Sequence, residues 1–158
     1  MKRLHVNLMV KDLEASIRFY SRLFGEEPTF QKEGYARWMI EDPRVNFAME
    51  QVAGDAGIEH LGIQAETRED LTQLRERLAG AGLALDHDGE TVCCYARSNK
   101  DWVTDGQGIP WEVFYTHGSA ETYGAPRQVQ RAGGEEPGGA AVCCETKRGP
   151  VKTAPECC

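Results

Sequence analysis

The sequence predicts an α+β protein built from two βαβββ modules around a cleft, followed by a flexible C-terminal tail. Three observations carry that prediction. A strand-like segment leads into a helix-like segment near the start, and the same succession returns in the second half, with His5 and His60 at equivalent places. Short apolar-alternating segments follow each helix. Composition then shifts near residue 118, beyond which Gly, Ala, Pro and Glu dominate.

The first strand is read in His5-Val6-Asn7-Leu8-Met9-Val10, which alternates as a half-buried strand does. A helix follows, with Leu13, Ile17, Tyr20 and Phe24 on one face, Asp12 as N-cap and Gly25 as C-terminal stop. Strands are predicted at 36–40 and 45–50, joined by a turn at Asp42-Pro43-Arg44. In the second half the strand His60–Ala65 leads to Thr67-Arg68-Glu69-Asp70, a capping-box-like start. The apolar set of that helix is Leu71, Leu74, Leu78 and Leu83, and Gly80 and Gly82 end it. Three strands follow, at 91–96, 102–104 and 111–115, with a turn at Asp105-Gly106-Gln107-Gly108 before the last. The folded unit is therefore expected over 1–125, with modules at about 1–52 and 56–120 forming paired sheets, helices outside. Residues 126–158 read as a Cys-containing tail with too little apolar content to form a core.

The chain has 158 residues, 41% hydrophobic and 27% charged, which suits a soluble globular protein. Its net charge of −7 argues against nucleic acid and anionic membrane as partners, since both need basic surfaces. No apolar run approaches the roughly 20 residues of a membrane span. The basic opening Met1-Lys2-Arg3 resembles a signal peptide, but His5, Asn7 and Lys11 interrupt its apolar stretch, so the expected location is cytoplasmic. Six cysteines fall in three adjacent pairs, Cys93-Cys94, Cys143-Cys144 and Cys157-Cys158. Adjacent cysteines staple no distance, and no Cys-x-x-Cys zinc spacing is present. Paired thiols in a reducing compartment suit a soft, thiophilic ligand.

His5 and His60 open equivalent strands, and Glu112 lies in an otherwise apolar, aromatic strand, Pro110-Trp111-Glu112-Val113-Phe114-Tyr115. A carboxylate there is costly unless paired or metal-bound. Two histidines and a carboxylate on a rigid sheet are a facial triad that leaves metal positions open. The residues alone also allow two hydrogen-bonded strand histidines and a solvent-facing glutamate. His87, in Asp86-His87-Asp88-Gly89, reads as a turn residue, and His117 as the end of the last strand. Trp102, Trp111, Phe114, Tyr95 and Tyr115 could line a pocket or fill the core.

With His5, His60, Glu112 and the repeated βαβββ pattern, residues 1–120 resemble the vicinal-oxygen-chelate superfamily of glyoxalases, bleomycin-resistance proteins and extradiol dioxygenases. The resemblance implies a metal at His5, His60 and Glu112. Glyoxalase I uses a fourth ligand, expected here around Val45-Asn46-Phe47, where no carboxylate stands; Glu50 lies later, at the strand end. Three ligands are the pattern of the iron(II) extradiol dioxygenases and of the manganese fosfomycin thiol transferases. Thr91-Val92-Cys93-Cys94-Tyr95-Ala96-Arg97, the following Ser98-Asn99-Lys100-Asp101-Trp102 and the cysteine-bearing tail resemble the cadmium-induced proteins and organoarsenical C–As lyases. Gln107 departs from the Pro-Asp-Gly type of turn expected at that place.

That subgroup implies an Fe(II)-dependent dioxygenase, with Mn or Ni as alternative metals and dioxygen as co-substrate. It would cleave the C–As bond of trivalent organoarsenicals such as methylarsenite or aromatic arsenicals, an arsenic-resistance activity. Cys93 and Cys94 would bind the substrate, because two adjacent thiols take a monosubstituted trivalent arsenic with little loss of entropy. Two other readings stay open: a cadmium- or arsenite-sequestering protein without turnover, and an extradiol dioxygenase or fosfomycin-type thiol transferase. Neither of those enzymes needs Cys93-Cys94. The partner is a small molecule, the oligomeric state a monomer or homodimer, and roles for Cys143, Cys144, Cys157 and Cys158 stay open.

Overall fold

A computed structural model describes residues 1–124. The predicted tail at 126–158, with Cys143, Cys144, Cys157 and Cys158, lies outside the described residues. The elements run β1 (Lys2–Val10), α1 (Leu13–Phe24), β2 (Phe30–Lys32), β3 (Tyr35–Glu41), β4 (Arg44–Gln51), β5 (Gly57–Ala65), α2 (Arg68–Gly80), β6 (Asp86–Cys93), β7 (Ala96–Thr104) and β8 (Pro110–Ser119). This is βαβββ twice over.

Both helices begin and end where local chemistry dictates. Asp12 Oδ1 accepts the Ala15 N–H at 2.9 Å, satisfying one of the orphan donors of the first turn of α1. At the other end Gly25 takes the left-handed conformation, φ 76°, and its N–H reaches Ser21 O at 2.9 Å. Thr67 Oγ1 caps α2 through the Asp70 N–H at 3.0 Å. Leu13 of α1, with the partly buried Ile17, Tyr20 and Phe24, packs on Trp38, Phe47 and Met49 of β3 and β4. Leu71 and Leu74 of α2 are buried against Ala65 and Val113 of β5 and β8. Each helix thus seals the outer face of its own module, and the inner face is left for the cleft.

The two modules share one mixed sheet, in the order β2-β3-β4-β1-β5-β8-β7-β6, which curls around the cleft. The paired sheets expected from the repeat are corrected here: β1 and β5 hydrogen-bond antiparallel to each other, so two four-stranded halves become one sheet. Parallel pairs β1·β4 and β5·β8 flank that centre. Three other expectations are revised. Residues 91–96 are not one strand but the tip of the β6–β7 hairpin, because Cys94 (φ 56°) and Tyr95 (φ 61°) turn the chain back and pair Cys93 with Ala96. Positive φ at both central residues is what a two-residue hairpin loop needs to match strand twist, though Asn-Gly usually supplies it. His87 lies within β6 rather than in a turn, opposite Asp101, to whose carboxylate it hydrogen-bonds. Leu83 follows the end of α2 and is 44% exposed, since Ala81 and Gly82 stop the helix before it. Asp105 builds the predicted turn by accepting the N–H groups of Gln107 and Ile109.

Candidate metal centre

The register of the central strands decides which side chains meet. His5 of β1 lies opposite Gly62 of β5, and Gly62 lies opposite Glu112 of β8. His60, two residues before Gly62, points to the same face. The three predicted ligands therefore converge around one glycine. His5 Nε2 and His60 Nε2 stand 3.0 Å apart, with Glu112 Oε2 at 3.7 Å and 3.6 Å from them. All three residues are buried.

Neighbours set which atoms face inward. The His5 Nδ1–H donates to Asn46 O at 3.0 Å, and the His60 Nδ1–H donates to the Glu59 carboxylate. With each Nδ1 engaged, each Nε2 offers a lone pair toward the other and toward Glu112. Two facing lone pairs and a carboxylate need a cation between them. This donor set of two imidazoles and a carboxylate fits a divalent first-row metal, and carbonyl or carboxylate partners behind ligating histidines are the usual arrangement. Glu59 reaches His60 because of a β-bulge: Asn7 pairs with His60 and Leu8 with Ile58, which leaves Glu59 as the extra residue.

Charge in the triad follows from its burial and its neighbours. Burial pushes His5 down to about 4, so this imidazole is neutral. Burial also opposes charge on His60, but hydrogen bonds and charge from Glu112 and Glu59 outweigh it and raise His60 to about 9. Burial works against the Glu112 carboxylate too, yet the Lys100 charge and His60 hold it well below the usual range. Lys100 Nζ contacts Glu112 Oε1 at 2.5 Å, occupying the oxygen that faces away from the histidines. Positive charge on His60 and Lys100 thus balances the buried Glu112 carboxylate.

The fourth-ligand position also follows from register. In the second half, Gly62 two residues after His60 faces Glu112; in the first half, Asn7 two residues after His5 faces Ala48. The counterpart of Glu112 is therefore Ala48, one place beyond the predicted Val45-Asn46-Phe47, and it has no donor.

The triad lies in a cavity of about 520 Å³, within the usual size of small-molecule sites. Cys93 and Cys94 line that same cavity, their Sγ atoms 3.1 Å apart. Trp102 and Phe114 contribute apolar wall, whereas Tyr115 packs on the α2 side. Tyr95 instead joins Phe30, Tyr35 and Tyr123, with ring centroids 5.5–6.0 Å away, in an aromatic cluster that ties the hairpin tip to the opposite end of the sheet. The Cys94 N–H donates to Tyr123 O at 2.7 Å and the Ala120 N–H to Tyr95 O at 2.8 Å, which holds two non-glycine residues at positive φ. Asn7 Oδ1 and Asn46 Oδ1 are buried without a hydrogen-bond partner, and both residues line the cavity. Buried acceptors of this kind are normally satisfied by water or ligand.

Four residues of the site are not singled out by the sequence, Glu59, Lys100, Asn7 and Tyr123, and Glu50, set aside there as a strand-end residue, lines the cavity. Lys100 had a signal, a lysine alternating with Ser98 and Trp102 on the cleft side of a strand. Glu59 had none, because its orientation depends on the bulge. His87 and His117 stand apart from the triad, paired with Asp101 and Glu90.

A family description, the glyoxalase/bleomycin resistance protein/dioxygenase superfamily, matches residues 2–113. The chain belongs to that superfamily, whose members bind metals. Among its relatives is a "Trivalent organoarsenical cleaving enzyme" of Bacillus sp. (strain MD1), 38% identical over 165 aligned positions that cover 100% of this chain and 99% of the relative. A protein of the same name from Thermomonospora curvata is 40% identical over 77% of this chain and 82% of its own. "Cadmium-induced protein CadI" of Mycobacterium tuberculosis is 38% identical, covering 92% and 94%. Among solved structures, a Mn(II)-bound glyoxalase from Novosphingobium aromaticivorans aligns with TM-score 0.54 and 19% identity, over 80% of this chain and 44% of that one. Homoprotocatechuate 2,3-dioxygenase from Brevibacterium fuscum aligns with TM-score 0.53 and 19% identity, over 77% and 38%. These two likenesses concern the fold. No helix among the described residues is long and apolar enough to cross a membrane.

Proposed function

We propose that this protein cleaves the carbon–arsenic bond of trivalent organoarsenicals such as methylarsenite and releases inorganic arsenite, as an Fe(II)-dependent dioxygenase. The observation that carries the proposal is that a thiol pair with Sγ atoms 3.1 Å apart and a His-His-Glu triad line one cavity. The names of the relatives from Bacillus and Thermomonospora support the same reading.

His5, His60 and Glu112 hold the metal, oriented by Asn46 O, Glu59 and Lys100. When bound, Fe(II) supplies the redox chemistry by which dioxygen attacks the C–As bond. Three protein ligands leave room for co-substrate, and Ala48 keeps the fourth position clear. Cys93 and Cys94 hold the arsenic, converting a collision into a fixed approach. Trp102 and Phe114 exclude water beside the organic substituent.

The test is an aerobic assay of the iron-loaded protein with methylarsenite, read by arsenic speciation. Release of arsenite in air and none under anaerobic conditions is the expected result. Equal release in both would end the dioxygenase assignment. Stoichiometric binding with no released product would favour the sequestering reading instead. Unchanged turnover after Cys93→Ser and Cys94→Ser would remove the thiols from the mechanism.

A further inference from the structure

The two thiols do not have equal surroundings. Cys94 has one proton and three acceptors within reach: Cys93 Sγ at 3.1 Å, Tyr123 Oη at 3.7 Å and Glu50 Oε1 at 3.8 Å. Among the described residues Cys93 makes no hydrogen bond to a carboxylate, and the Lys100 charge acts on it to favour the thiolate while Glu112 and Glu50 act against it. Glu50 is positioned independently of the thiols. Asn7 Nδ2 donates to its Oε1 at 3.1 Å, and the Tyr123 hydroxyl also hydrogen-bonds to it. Among the described residues, Glu50 is the carboxylate that accepts a hydrogen bond from the thiol pair, and neither the triad nor the oxygen chemistry uses it.

We propose that Glu50 is the base for substrate capture: it takes the Cys94 proton while Cys93 attacks first as thiolate. The inference rests on the arsenical reading above. The steps balance without oxidant or reductant. A monosubstituted trivalent arsenical in water carries two hydroxyls on arsenic. The Cys93 thiolate forms the first S–As bond, one As–O bond breaks, and hydroxide leaves to become water with a solvent proton. Cys94 has then lost its best acceptor, because the Cys93 sulfur is no longer an anion. Its proton passes to Glu50 as the second S–As bond forms. The second hydroxyl leaves as water with the proton that Glu50 returns. Arsenic remains trivalent, two S–As bonds replace two As–O bonds, and Glu50 is regenerated.

Electrostatics supports this division of labour. The hydrogen bond from Cys94 draws the Cys93 thiol below its ordinary value, while that bond, burial and the charge of Glu50 raise Cys94. With Cys93 drawn down and Cys94 pushed up, a base is needed more at the second step than at the first.

The experiment uses the full metal-loaded chain under anaerobic conditions, with Cys143, Cys144, Cys157 and Cys158 changed to Ser so that a single thiol pair remains. Phenylarsine oxide is the probe, stopped-flow tryptophan fluorescence gives the rate, and intact mass reports the closed adduct. Glu50→Gln is expected to slow ring closure by about 10²-fold, the scale of a lost general base, while the final adduct is the same. Glu50→Ala is expected to be equally slow and to be accelerated by added formate, a response that a merely structural residue would not give. Equal closure rates in Glu50→Gln and the parent would overturn the assignment, and so would a slow Glu50→Ala that formate leaves slow. Manganese affinity and circular dichroism of each variant check that the triad and fold are intact. If the parent captures phenylarsine oxide yet releases no arsenite from methylarsenite in air, the lyase reading fails, and the capture rates still decide the role of Glu50.

Discussion

Gly62→Ala is a one-methyl test of how the candidate metal centre is built. Gly62 does not adopt a positive φ, so the backbone makes no demand for glycine there. Space does. A Cβ on residue 62 would meet Glu112 O at 2.5 Å and Glu112 Cβ at 3.2 Å. Ordinary contact needs about 3.5 Å, so the rung between β5 and β8 must open by roughly 1 Å. The nearest obstructing atom is a backbone oxygen, which cannot swing aside, and all of these atoms belong to a predicted ligand. Overpacking of this kind costs about 1–3 kcal/mol. The displaced carboxylate should lower metal affinity by about 10–100-fold, as when a ligand loses its support. Chelator competition for Mn(II), with thermal unfolding in parallel, measures both. Gly118→Ala is the control, since its Cβ would meet nothing nearer than Arg97 Cδ at 3.7 Å. A Gly62→Ala protein with parental affinity and parental melting temperature would refute the idea that close approach at this rung sets Glu112.

Three further outcomes are expected. Lys100→Met should leave Glu112 buried without its partner and destabilise the metal-free protein by about 3–5 kcal/mol in urea unfolding, with most of the loss recovered at saturating Mn(II); no recovery would show that Lys100 does more than balance charge. Glu59→Gln removes the charge behind His60 and should weaken Mn(II) binding by about 10–100-fold, so unchanged affinity would mean that the bulge carboxylate is incidental. Cys93 is held below the ordinary thiol range and Cys94 above it, so iodoacetamide should label Cys93 first and continue to do so at lower pH than a free thiol allows. Peptide mass mapping across pH 6–9 reads this out (roughly the span around an ordinary thiol pKa), and preferential labelling of Cys94 would contradict the assigned order.

Much of the architecture was legible in the chain itself. Helix α1 was bounded correctly by Asp12 and Gly25, because capping is local chemistry that a few residues decide. The repeat predicted βαβββ twice, and equivalent positions in the repeat singled out His5 and His60. Glu112 was visible as a carboxylate in an apolar strand, where burial makes it costly without a partner.

Local pattern could not supply what depends on pairing. That β1 and β5 join the modules into one sheet is a long-range register, and no periodicity records it. The hairpin tip at Cys94-Tyr95 lacks Asn-Gly or any other usual turn signal; contacts from Tyr123 and Ala120 impose it. Glu59 faces His60 only because a bulge breaks the alternation by which a strand is read. Glu50 comes within 3.8 Å of Cys94 across 44 residues of sequence because a curled sheet brings its opposite ends together. Sequence by itself determined the elements, the three ligand candidates and the thiol pair, since each is a matter of residue chemistry and spacing. Tertiary structure alone decided that these groups share one cavity, and which neighbours orient and charge them, because those follow from register and curvature.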